Sequence, residues 1–380
     1  MAKSGVINSG NDRSKISRRR FDDDDSDDFD GHPSKVPRNE GLSKVIANHY
    51  NSIQESGLER RRESRIFFMR NFNNWIKSSI IAQALNMICQ DKKIDPESPH
   101  HDITVLDLGC GKGGDLNKFR IGKIKHLVCA DIAEESLKDC RQRYEHMNKR
   151  RNHFTAEFHH LDCTKGSLAN KLKDKDTKFD LVSCQFTFHY SFESLDQAEC
   201  MMQNISNNLR PGGYFVGTIP DAYDIVARVR RADSFQCGNE IYSIRFDEPV
   251  TGQIPLFGAK YDFHLEGCVD CPEFLVYFPA LQRLAEKYGL RMLFKRKFNE
   301  FFEENCVHPL EEELLGRINA LETYPPKLEP LKGPPEDYVH AEKFIQGNGK
   351  AKGISHVGTL SKSEWEAVCL YVVFVFVKEG

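Results

Sequence analysis

Near the end of the first predicted strand, an acidic residue and four glycines stand in a pattern that can bind a small polar ligand. Asp107 ends an apolar run and is followed by Gly109, Gly111, Gly113 and Gly114, after which the apolar pattern resumes. This order predicts a strand, a tight turn and a helix start. Glycines let the backbone approach a ligand closely, and a helix N-terminus offers free N–H groups. We therefore expect a ligand-binding loop here.

The spacing of the glycines does not by itself identify the ligand, because Gly109 to Gly114 also meets the dinucleotide template G-x-G-x-x-G. The acidic residues discriminate better. Asp107 would repel a pyrophosphate but can organise the amino group of a methionine tail. Asp131 and Asp162 end the next two predicted strands, where they can accept hydrogen bonds from ribose hydroxyls and from an adenine amino group. Asp107 and Asp131 together favour S-adenosyl-L-methionine over NAD, and an α/β domain that uses its glycines only for packing is the remaining alternative.

Composition and charge narrow the class of protein. The chain has 380 residues, a formal net charge of −3 and twelve cysteines. Its length suits one large α/β domain or two domains, and an anionic substrate would need a local basic patch. No apolar run reaches the ~20 residues of a membrane span. The scattered cysteines predict an intracellular protein with reduced thiols, and we expect no metal at Cys268 and Cys271, a C-x-x-C pair without a partner pair.

The first 40 residues differ in character from the rest of the chain. They contain a basic cluster that ends at Arg18-Arg19-Arg20 and an acidic run from Asp22 to Asp30. Such segments cannot bury a core, so we expect residues 1–40 to be a disordered tail and residues 41–380 to be the folded domain. The basic cluster is a candidate nuclear-import signal.

Strand and helix patterns alternate after the tail. Helical spacing begins near Leu42, and strands are predicted at the glycine loop and at 126–131, 157–162, 179–185 and 214–219. Helical patterns between the strands predict parallel βαβ units and a sheet that is buried on both faces. An antiparallel hairpin at 240–246 and 260–265 interrupts the alternation, and the apolar run 369–377 predicts a buried final strand.

Residues 59–77 combine arginines, aromatic residues and two amides. Arg60 to Arg62 can meet phosphates, Phe72 can stack on a base, and Asn73 and Asn74 can hydrogen-bond to a ligand. Taken alone, an amphipathic helix that packs its aromatic side chains into the core is the simpler interpretation.

Several strings of residues resemble one enzyme family. They are SRIFFMRNFNNWIKS, VLDLGCGKGGDLNKF, SCQFTFHYSFES, PGGYFVGTIP, YDFHLEG with PEFLVYFP, and GTLSKSEWEA. Together they resemble the eukaryotic mRNA cap guanine-N7 methyltransferases from about Leu42 to the C-terminus, and only the glycine loop is shared with methyltransferases at large. The resemblance implies the class I methyltransferase fold, a Rossmann-like α/β fold. Its seven-stranded sheet has the order 3-2-1-4-5-7-6 with the last strand antiparallel, plus N-terminal helices and an antiparallel insertion after the fifth strand.

The resemblance also implies the ligands and the residues that bind them. The cofactor would be S-adenosyl-L-methionine, bound by Lys77, Asp107, Gly109, Asp131, Asp162, Gln185 and Tyr190. The substrate would be 5′ guanosine-capped RNA, bound by Phe72, Asn73, Asn74, Lys112, Lys118, Arg143, His189, Pro220, Glu273 and Tyr371. In this set Phe72 and Pro220 would be walls of the guanine pocket, and the three basic residues would form a patch for the triphosphate. A nuclear location, a monomeric catalytic unit, and the capping and transcription machinery or an activating subunit as partners follow from the same resemblance.

The expected chemistry needs no general base, because guanine N7 already holds an in-plane lone pair. His189 and Tyr190 would act by positioning. Methylation of cytosine C5 commonly uses a cysteine after proline, and the chain has no Pro-Cys dipeptide. Exocyclic amine methylases resemble one another in an Asn/Asp-Pro-Pro-aromatic string, where this chain has QFTFHY at 185–190. Two alternatives remain: a methyltransferase of another RNA or a small molecule, and a catalytically silent cap-binding module, against which the three retained carboxylates argue.

Overall fold

A seven-stranded sheet forms the centre of the computed structural model, which describes residues 41–52, 58–149, 153–350 and 352–380, without the side chains of residues 58–60 and 348. The predicted tail, its basic cluster included, lies outside the described residues. Residues Gly41–Gly380 form one unit. The strands are β1 (Thr104–Leu108), β2 (His126–Asp131), β3 (Thr155–His160), β4 (Phe179–Gln185), β5 (Leu209–Pro220), β6 (Gln236–Gly238), β7 (Tyr242–Arg245), β8 (Lys260–Leu265), β9 (Val269–Phe274), β10 (Leu290–Lys297), β11 (Glu322–Tyr324), β12 (Val357–Thr359) and β13 (Tyr371–Lys378).

Twelve α-helices surround the sheets in the described part of the chain. They are α1 (Leu42–Ser52), α2 (Leu58–Glu63), α3 (Phe67–Asp91), α4 (Leu116–Ile121), α5 (Glu134–Asn148), α6 (Leu195–Ser206), α7 (Ala222–Arg231), α8 (Phe278–Lys287), α9 (Phe298–Asn305), α10 (Pro309–Arg317), α11 (Val339–Phe344) and α12 (Lys362–Val368). None of these described helices has the length and apolar character needed to cross a lipid bilayer.

The strand order of the main sheet is β10-β13-β5-β4-β1-β2-β3. Strands β1 to β5 pair in parallel, whereas the final strand β13 lies between β5 and β10 and runs antiparallel to both. This arrangement is the class I methyltransferase topology and confirms the predicted strand order.

The core has two layers because successive side chains of a strand point to opposite faces of the sheet. Val105 of β1 packs in one apolar cluster with residues of α3, α4 and α5, such as Ile80 of α3. Leu106, the next residue, packs in the other cluster with Met202 of α6 and Leu281 of α8. Both faces are therefore covered, which explains why the central strands are nearly continuous apolar runs.

A second sheet of four antiparallel strands, in the order β6-β7-β8-β9, forms the insertion after β5. The predicted hairpin corresponds to β7 and β8, which pair antiparallel as expected. Strand β9 pairs with β8 but was not predicted, because it contains Pro272, and proline lowers the expectation of a strand.

Candidate active site

A cleft of about 520 Å³ opens where the carboxyl ends of β1, β2, β3 and β4 meet. Strand β1 lies between β2 and β4, so this is the point at which the strand order reverses, and open parallel sheets bind ligands at that point. Residues of α1, α3, α5 and the second sheet complete the walls. The predicted site residues that line the cleft are Asn73, Asn74, Lys77, Gly109, Lys112, Asp131, Arg143, Asp162, Gln185, His189, Tyr190, Glu273 and Tyr371.

The glycine loop is held in a conformation that other residues rarely adopt. Gly109 has φ +66° and Gly113 has φ +76°, both in the left-handed region. A Cβ on Gly109 would overlap the side chain of Thr187, and one on Gly113 would lie 2.8 Å from the Sγ of Cys140. The loop therefore requires glycine both for its backbone and for its close packing on α5 and on the turn after β4.

Asp131 ends β2, as predicted, and its carboxylate is tied to the glycine loop. Its Oδ2 accepts a hydrogen bond of 2.7 Å from the N–H of Gly111, and its Oδ1 accepts one of 2.7 Å from the N–H of Ala133. Burial raises the pKa of the Asp131 carboxyl, although these two N–H groups act in the opposite direction. The carboxylate therefore fixes the loop in addition to lining the cleft.

Two further lining residues bring polar atoms to the expected adenine side of the cleft. Strand β3 ends at His160, so Asp162 lies in the following turn, where its Oδ1 accepts hydrogen bonds from the N–H and the hydroxyl of Thr164 at 3.0 and 2.6 Å. Gln185 ends β4 and donates from Nε2 to Ser183 Oγ at 3.1 Å. Its Oε1 is buried and, within the described residues, has no hydrogen-bond partner. A buried amide oxygen in a cleft can accept a hydrogen bond from a ligand.

Helix α3 presents a polar face to the cleft. Arg70, Asn73, Asn74 and Lys77 follow one another at helical spacing and all line it. The Oδ1 of Asn73 is buried without a hydrogen-bond partner in the described chain. Arg70 was missed by the sequence analysis, although its spacing from the two asparagines and Lys77 was a signal that could have found it.

Phe72 does not line the cleft, contrary to the expectation that it is a wall of the guanine pocket. It lies on the opposite face of α3, is fully buried, and packs against Trp75, Phe302 and Trp365 with ring centroids 5.2 to 6.1 Å apart. The helical period explains the difference, because two residues along a helix correspond to a rotation of roughly 200° from Arg70.

We predict that Phe72→Ala destabilises the fold instead of weakening guanine binding selectively. Removal of a buried phenylalanine lowers the free energy of unfolding by about 3–5 kcal/mol. Denaturant unfolding of the mutant and of Phe344→Ala, which truncates an exposed phenylalanine of α11, measures the difference. An unchanged free energy of unfolding together with weaker cap binding would return Phe72 to the pocket.

Lys118 also lies outside the lining of the cleft. Its Nζ lies 2.8 Å from Asp115 Oδ1 and donates to Asn74 Oδ1 at 2.5 Å. Burial alone would raise the pKa of Asp115, but the ammonium groups of Lys77 and Lys118, each 2.8 Å away, outweigh it and lower that pKa. Lys118 therefore orients Asn74 and neutralises Asp115, and does not present its charge to the cleft.

Asp107 and Pro220 lie behind the cleft. Asp107 is 3% exposed in β1, and burial, followed by the charge of Asp115, raises the pKa of its carboxyl well above the usual value. Pro220 is buried at the end of β5, where it pairs in register with Tyr371 of β13. Neither residue lines the cleft, so Pro220 supports Tyr371 and is not itself a pocket wall.

The basic residues that do line the cleft come from four elements. Lys112 belongs to the glycine loop, Arg143 to α5, and Arg61 to α2, and Arg70 of α3 lies in the same lining. The Nζ of Lys112 lies 2.9 Å from Asp139 Oδ2. This part of the cleft is therefore a local basic patch on a chain whose net charge is −3.

A buried carboxylate also lines the cleft. Glu273 is 3% exposed in β9; its Oε2 accepts a hydrogen bond of 2.7 Å from Tyr261, and its Oε1 lies 3.3 Å from His189 Nε2. Although His189 Nε2 is this close to Glu273, the angles do not form a hydrogen bond, and neither ring nitrogen has another hydrogen-bond partner in the described chain. Glu273 is therefore a buried strand residue whose carboxylate is held in position by Tyr261.

Two tyrosines of the predicted site also line the cleft. Tyr371 begins β13 and packs against Phe186 with ring centroids 5.1 Å apart. The hydroxyl of Tyr190 lies 2.9 Å from that of Tyr50 in α1, and burial raises the pKa of both phenols well above the usual value. Tyr50 was expected only as a periodic residue of the first helix, because nothing in its local pattern distinguishes a cleft residue from a core residue.

Comparison with known proteins identifies the family. The mRNA (guanine-N(7))-methyltransferase domain matches residues 34–379. The chain is 47% identical to the mRNA cap guanine-N(7) methyltransferase of Drosophila melanogaster over 342 residues, which cover 88% of this chain and 77% of that protein. It is 43% identical to the Caenorhabditis elegans enzyme of the same name, covering 89% of this chain and 87% of that protein. The corresponding enzyme 1 of Oryza sativa is 36% identical, covering 93% and 85%.

The fold, the cleft and these matches agree over the same residues. The sheet has the class I methyltransferase strand order, and the family match spans the described chain from Gly41 to its penultimate residue. The chain therefore belongs to the mRNA (guanine-N(7))-methyltransferase family.

Proposed function

We propose that this chain transfers the methyl group of S-adenosyl-L-methionine to N7 of the guanosine cap at the 5′ end of mRNA. The products are m7GpppN-ended RNA and S-adenosylhomocysteine. Family membership supports the reaction and the cofactor. The observation that carries the choice of guanine is the buried carboxylate of Glu273 at the wall of the cleft.

The strand ends and the glycine loop fit the cofactor. Asp131 would accept hydrogen bonds from the ribose hydroxyls and Asp162 one from the adenine amino group; both line the cleft, and Gln185 has a buried oxygen without a partner among the described residues. Lys77 and the loop at Gly109 border the space for the methionine end. When bound, S-adenosyl-L-methionine supplies a methyl group on a positively charged sulfur. Asp107 acts on this end only indirectly, from behind the loop.

Glu273 fits the edge of guanine that carries N1–H and the N2 amino group. Tyr261 donates a hydrogen bond of 2.7 Å to Oε2 of Glu273. The other carboxylate oxygen, Oε1, lies 3.3 Å from His189 Nε2, so Glu273 and His189 would contact the same part of a bound base. Adenine presents an acceptor at N1, so a carboxylate that faces this edge favours guanine and repels adenine. Tyr371 and the neighbouring Tyr190 form apolar walls beside the base.

Catalysis in this proposal is positioning. Guanine N7 needs no base to remove a proton. The residues of the cleft would hold N7 and the methyl group in line, roughly 3 Å apart, and such positioning can lower the activation free energy by ~7–11 kcal/mol. Arg61, Arg70, Lys112 and Arg143 would meet the triphosphate, and Asn73 and Asn74 of the same lining would hydrogen-bond to the bound substrate.

The tail and the partners are further parts of the proposal. We infer a nuclear location from the basic cluster at Arg18–Arg20 and from a role in mRNA processing. The capping and transcription machinery, or an activating subunit, are the proposed protein partners of a catalytic unit that acts as a monomer.

We predict that removal of residues 1–40 leaves methyl transfer to a short capped RNA nearly unchanged, because the expected tail lies outside the part of the chain that we predict to fold. Among the described residues, the lining of the cleft begins at Ser43. Steady-state kcat/KM of the truncated and full-length chains checks this. Loss of most of the turnover on such a substrate would mean that the tail belongs to the site.

A substrate panel tests the proposed function. GpppN-, ApppN- and inosine-capped RNAs, and uncapped triphosphate RNA, are incubated with the chain and labelled S-adenosyl-L-methionine. We expect incorporation of label into the GpppN-ended RNA, much weaker labelling of the other capped RNAs, and none of uncapped RNA. Equal labelling of all four, or labelling of an unrelated RNA instead, would favour a methyltransferase with another substrate, and cofactor binding without transfer would favour a silent binding module.

A further inference from the structure

Three cysteines from distant parts of the sequence meet beneath the glycine loop. Cys110 belongs to the loop, Cys129 to β2 and Cys140 to α5, and their Sγ atoms all lie within 4.8 Å of one another. Cys129 and Cys140 are fully buried, and Cys110 is 8% exposed. None of the three forms a disulfide. The spacing of these three residues matches no local metal motif, so the sequence alone did not indicate the group as it did the C-x-x-C pair Cys268 and Cys271.

The arrangement matches the requirements of a soft metal ion. Thiolates select such ions over hard cations such as Mg²⁺ and Ca²⁺. A trigonal site with metal–sulfur distances of about 2.3 Å places its three sulfurs roughly 4.0 Å apart. Each Sγ would have to move by less than an ångström from the observed triangle, whose sides are at most 4.8 Å. A fourth ligand is not required, because three thiolates complete the coordination of a trigonal ion.

We propose that Cys110, Cys129 and Cys140 form a binding site for a soft divalent cation of the cadmium and zinc class, and that its occupation weakens cofactor binding. Three thiols bind one cation and release three protons to solvent, and no other bond changes. The effect on the cofactor rests on the cofactor part of the proposed function.

The coupling follows from the contacts of the loop. The N–H of Gly109 donates to Ala130, the residue after Cys129, at 2.8 Å, and the N–H of Gly111 donates to Asp131 at 2.7 Å. Gly113 packs so closely on Cys140 that an added Cβ would lie 2.8 Å from its sulfur. A shift of Cys110 toward a metal ion therefore moves the backbone that lines the cofactor part of the cleft. By linkage, the cofactor must weaken cation binding by the same factor.

Titration of the reduced full-length chain with Cd²⁺ tests the site. The ultraviolet thiolate-to-cadmium band is expected to rise to one tightly bound equivalent, which Cys129→Ser and Cys140→Ser remove. Cys200→Ser and Cys306→Ser are the matched controls, because these cysteines, in α6 and directly after α9, belong neither to the lining of the cleft nor to the group of three, and both should keep the equivalent. Retention of that equivalent in the triad variants would overturn the site.

Two further measurements keep the test decisive. Cadmium NMR of the wild-type chain reports the number of sulfur ligands, so a signal typical of fewer than three overturns the site even where a buried variant fails to fold. Calorimetry with S-adenosyl-L-methionine is expected to show roughly 5- to 150-fold weaker binding with one equivalent of Cd²⁺, reversed by a chelator. Unchanged affinity would overturn the coupling. Because neither measurement uses methyl transfer, a failure of the proposed cap reaction is distinguishable from a failure of this site.

Discussion

Glu273→Ala is expected to lower kcat/KM on GpppN-capped RNA by about 100-fold or more. The carboxylate is buried beside the cleft and is held by Tyr261. Two hydrogen bonds to a charged group, at about 1.5 kcal/mol each, correspond to roughly this factor. The affinity for S-adenosyl-L-methionine should stay close to that of the wild type, because Asp131 and Asp162 lie on a different part of the lining.

The preference for a guanosine cap over an inosine cap distinguishes a role of Glu273 in base recognition from a general effect on the rate. The wild type should prefer a guanosine cap to an inosine cap, which lacks the N2 amino group, and the mutant should lose most of that preference. Glu266→Ala, an exposed carboxylate on the turn between β8 and β9, is the matched control and should keep both the rate and the preference. Undiminished discrimination in Glu273→Ala would remove the residue from the guanine pocket.

The second large effect is expected at Asp131. Asp131→Ala should weaken the binding of S-adenosyl-L-methionine by roughly 10- to 150-fold, because hydrogen bonds to a charged group contribute about 1.5–3 kcal/mol. The structure adds a reason that the sequence did not supply: the N–H groups of Gly111 and Ala133 also lose their acceptor. Loop distortion and loss of the ribose acceptor therefore act in the same direction.

Calorimetry on two comparison variants resolves these two contributions. Asp131→Asn keeps an oxygen for one N–H group and loses the charge, so its affinity should lie between those of the wild type and Asp131→Ala. Asp176→Ala, in the exposed turn before β4, should bind the cofactor normally. Wild-type affinity in Asp131→Ala would show that the ribose lies elsewhere.

The strands of the parallel sheet could be predicted because each has a clear local sequence pattern. Strand β4 begins and ends at the predicted residues 179 and 185, and Asp131 ends β2 as expected. Strands β2 and β4 are apolar runs whose side chains are buried on both faces of the sheet, so the local sequence is enough to predict them. The same rule places polar residues at the strand ends in one cleft, since parallel strands end at the same edge of the sheet.

The second sheet and the face of α3 were harder to predict, because they depend on tertiary contacts. Helix α3 has apolar residues around most of its circumference, so the pattern near Phe72 did not show which face meets the cleft. Strand β9 contains a proline and, within the described residues, pairs with β8 alone. Its residue Glu273 is buried by Tyr261 and His189, which are 12 and 84 positions away in the chain.

The contacts of Lys118 show a further limit of prediction from the sequence. Its sequence position on the helix after the glycine loop suggested a phosphate contact, but Asp115, three residues earlier, pairs with it at 2.8 Å. Lys77 pairs with the same carboxylate from α3. Partner choice of this kind depends on how two helices pack, which spacing along one of them does not specify.

The position of the transferred methyl group tests directly whether this chain methylates N7 of the cap guanine. The chain is incubated with labelled S-adenosyl-L-methionine and GpppN-ended RNA, the RNA is digested to its cap dinucleotide, and the labelled product is identified by chromatography and mass spectrometry. We expect one methyl group, on N7 of the cap guanine. A methyl group on N2 of that guanine, on a ribose 2′-hydroxyl or on an internal base would contradict it.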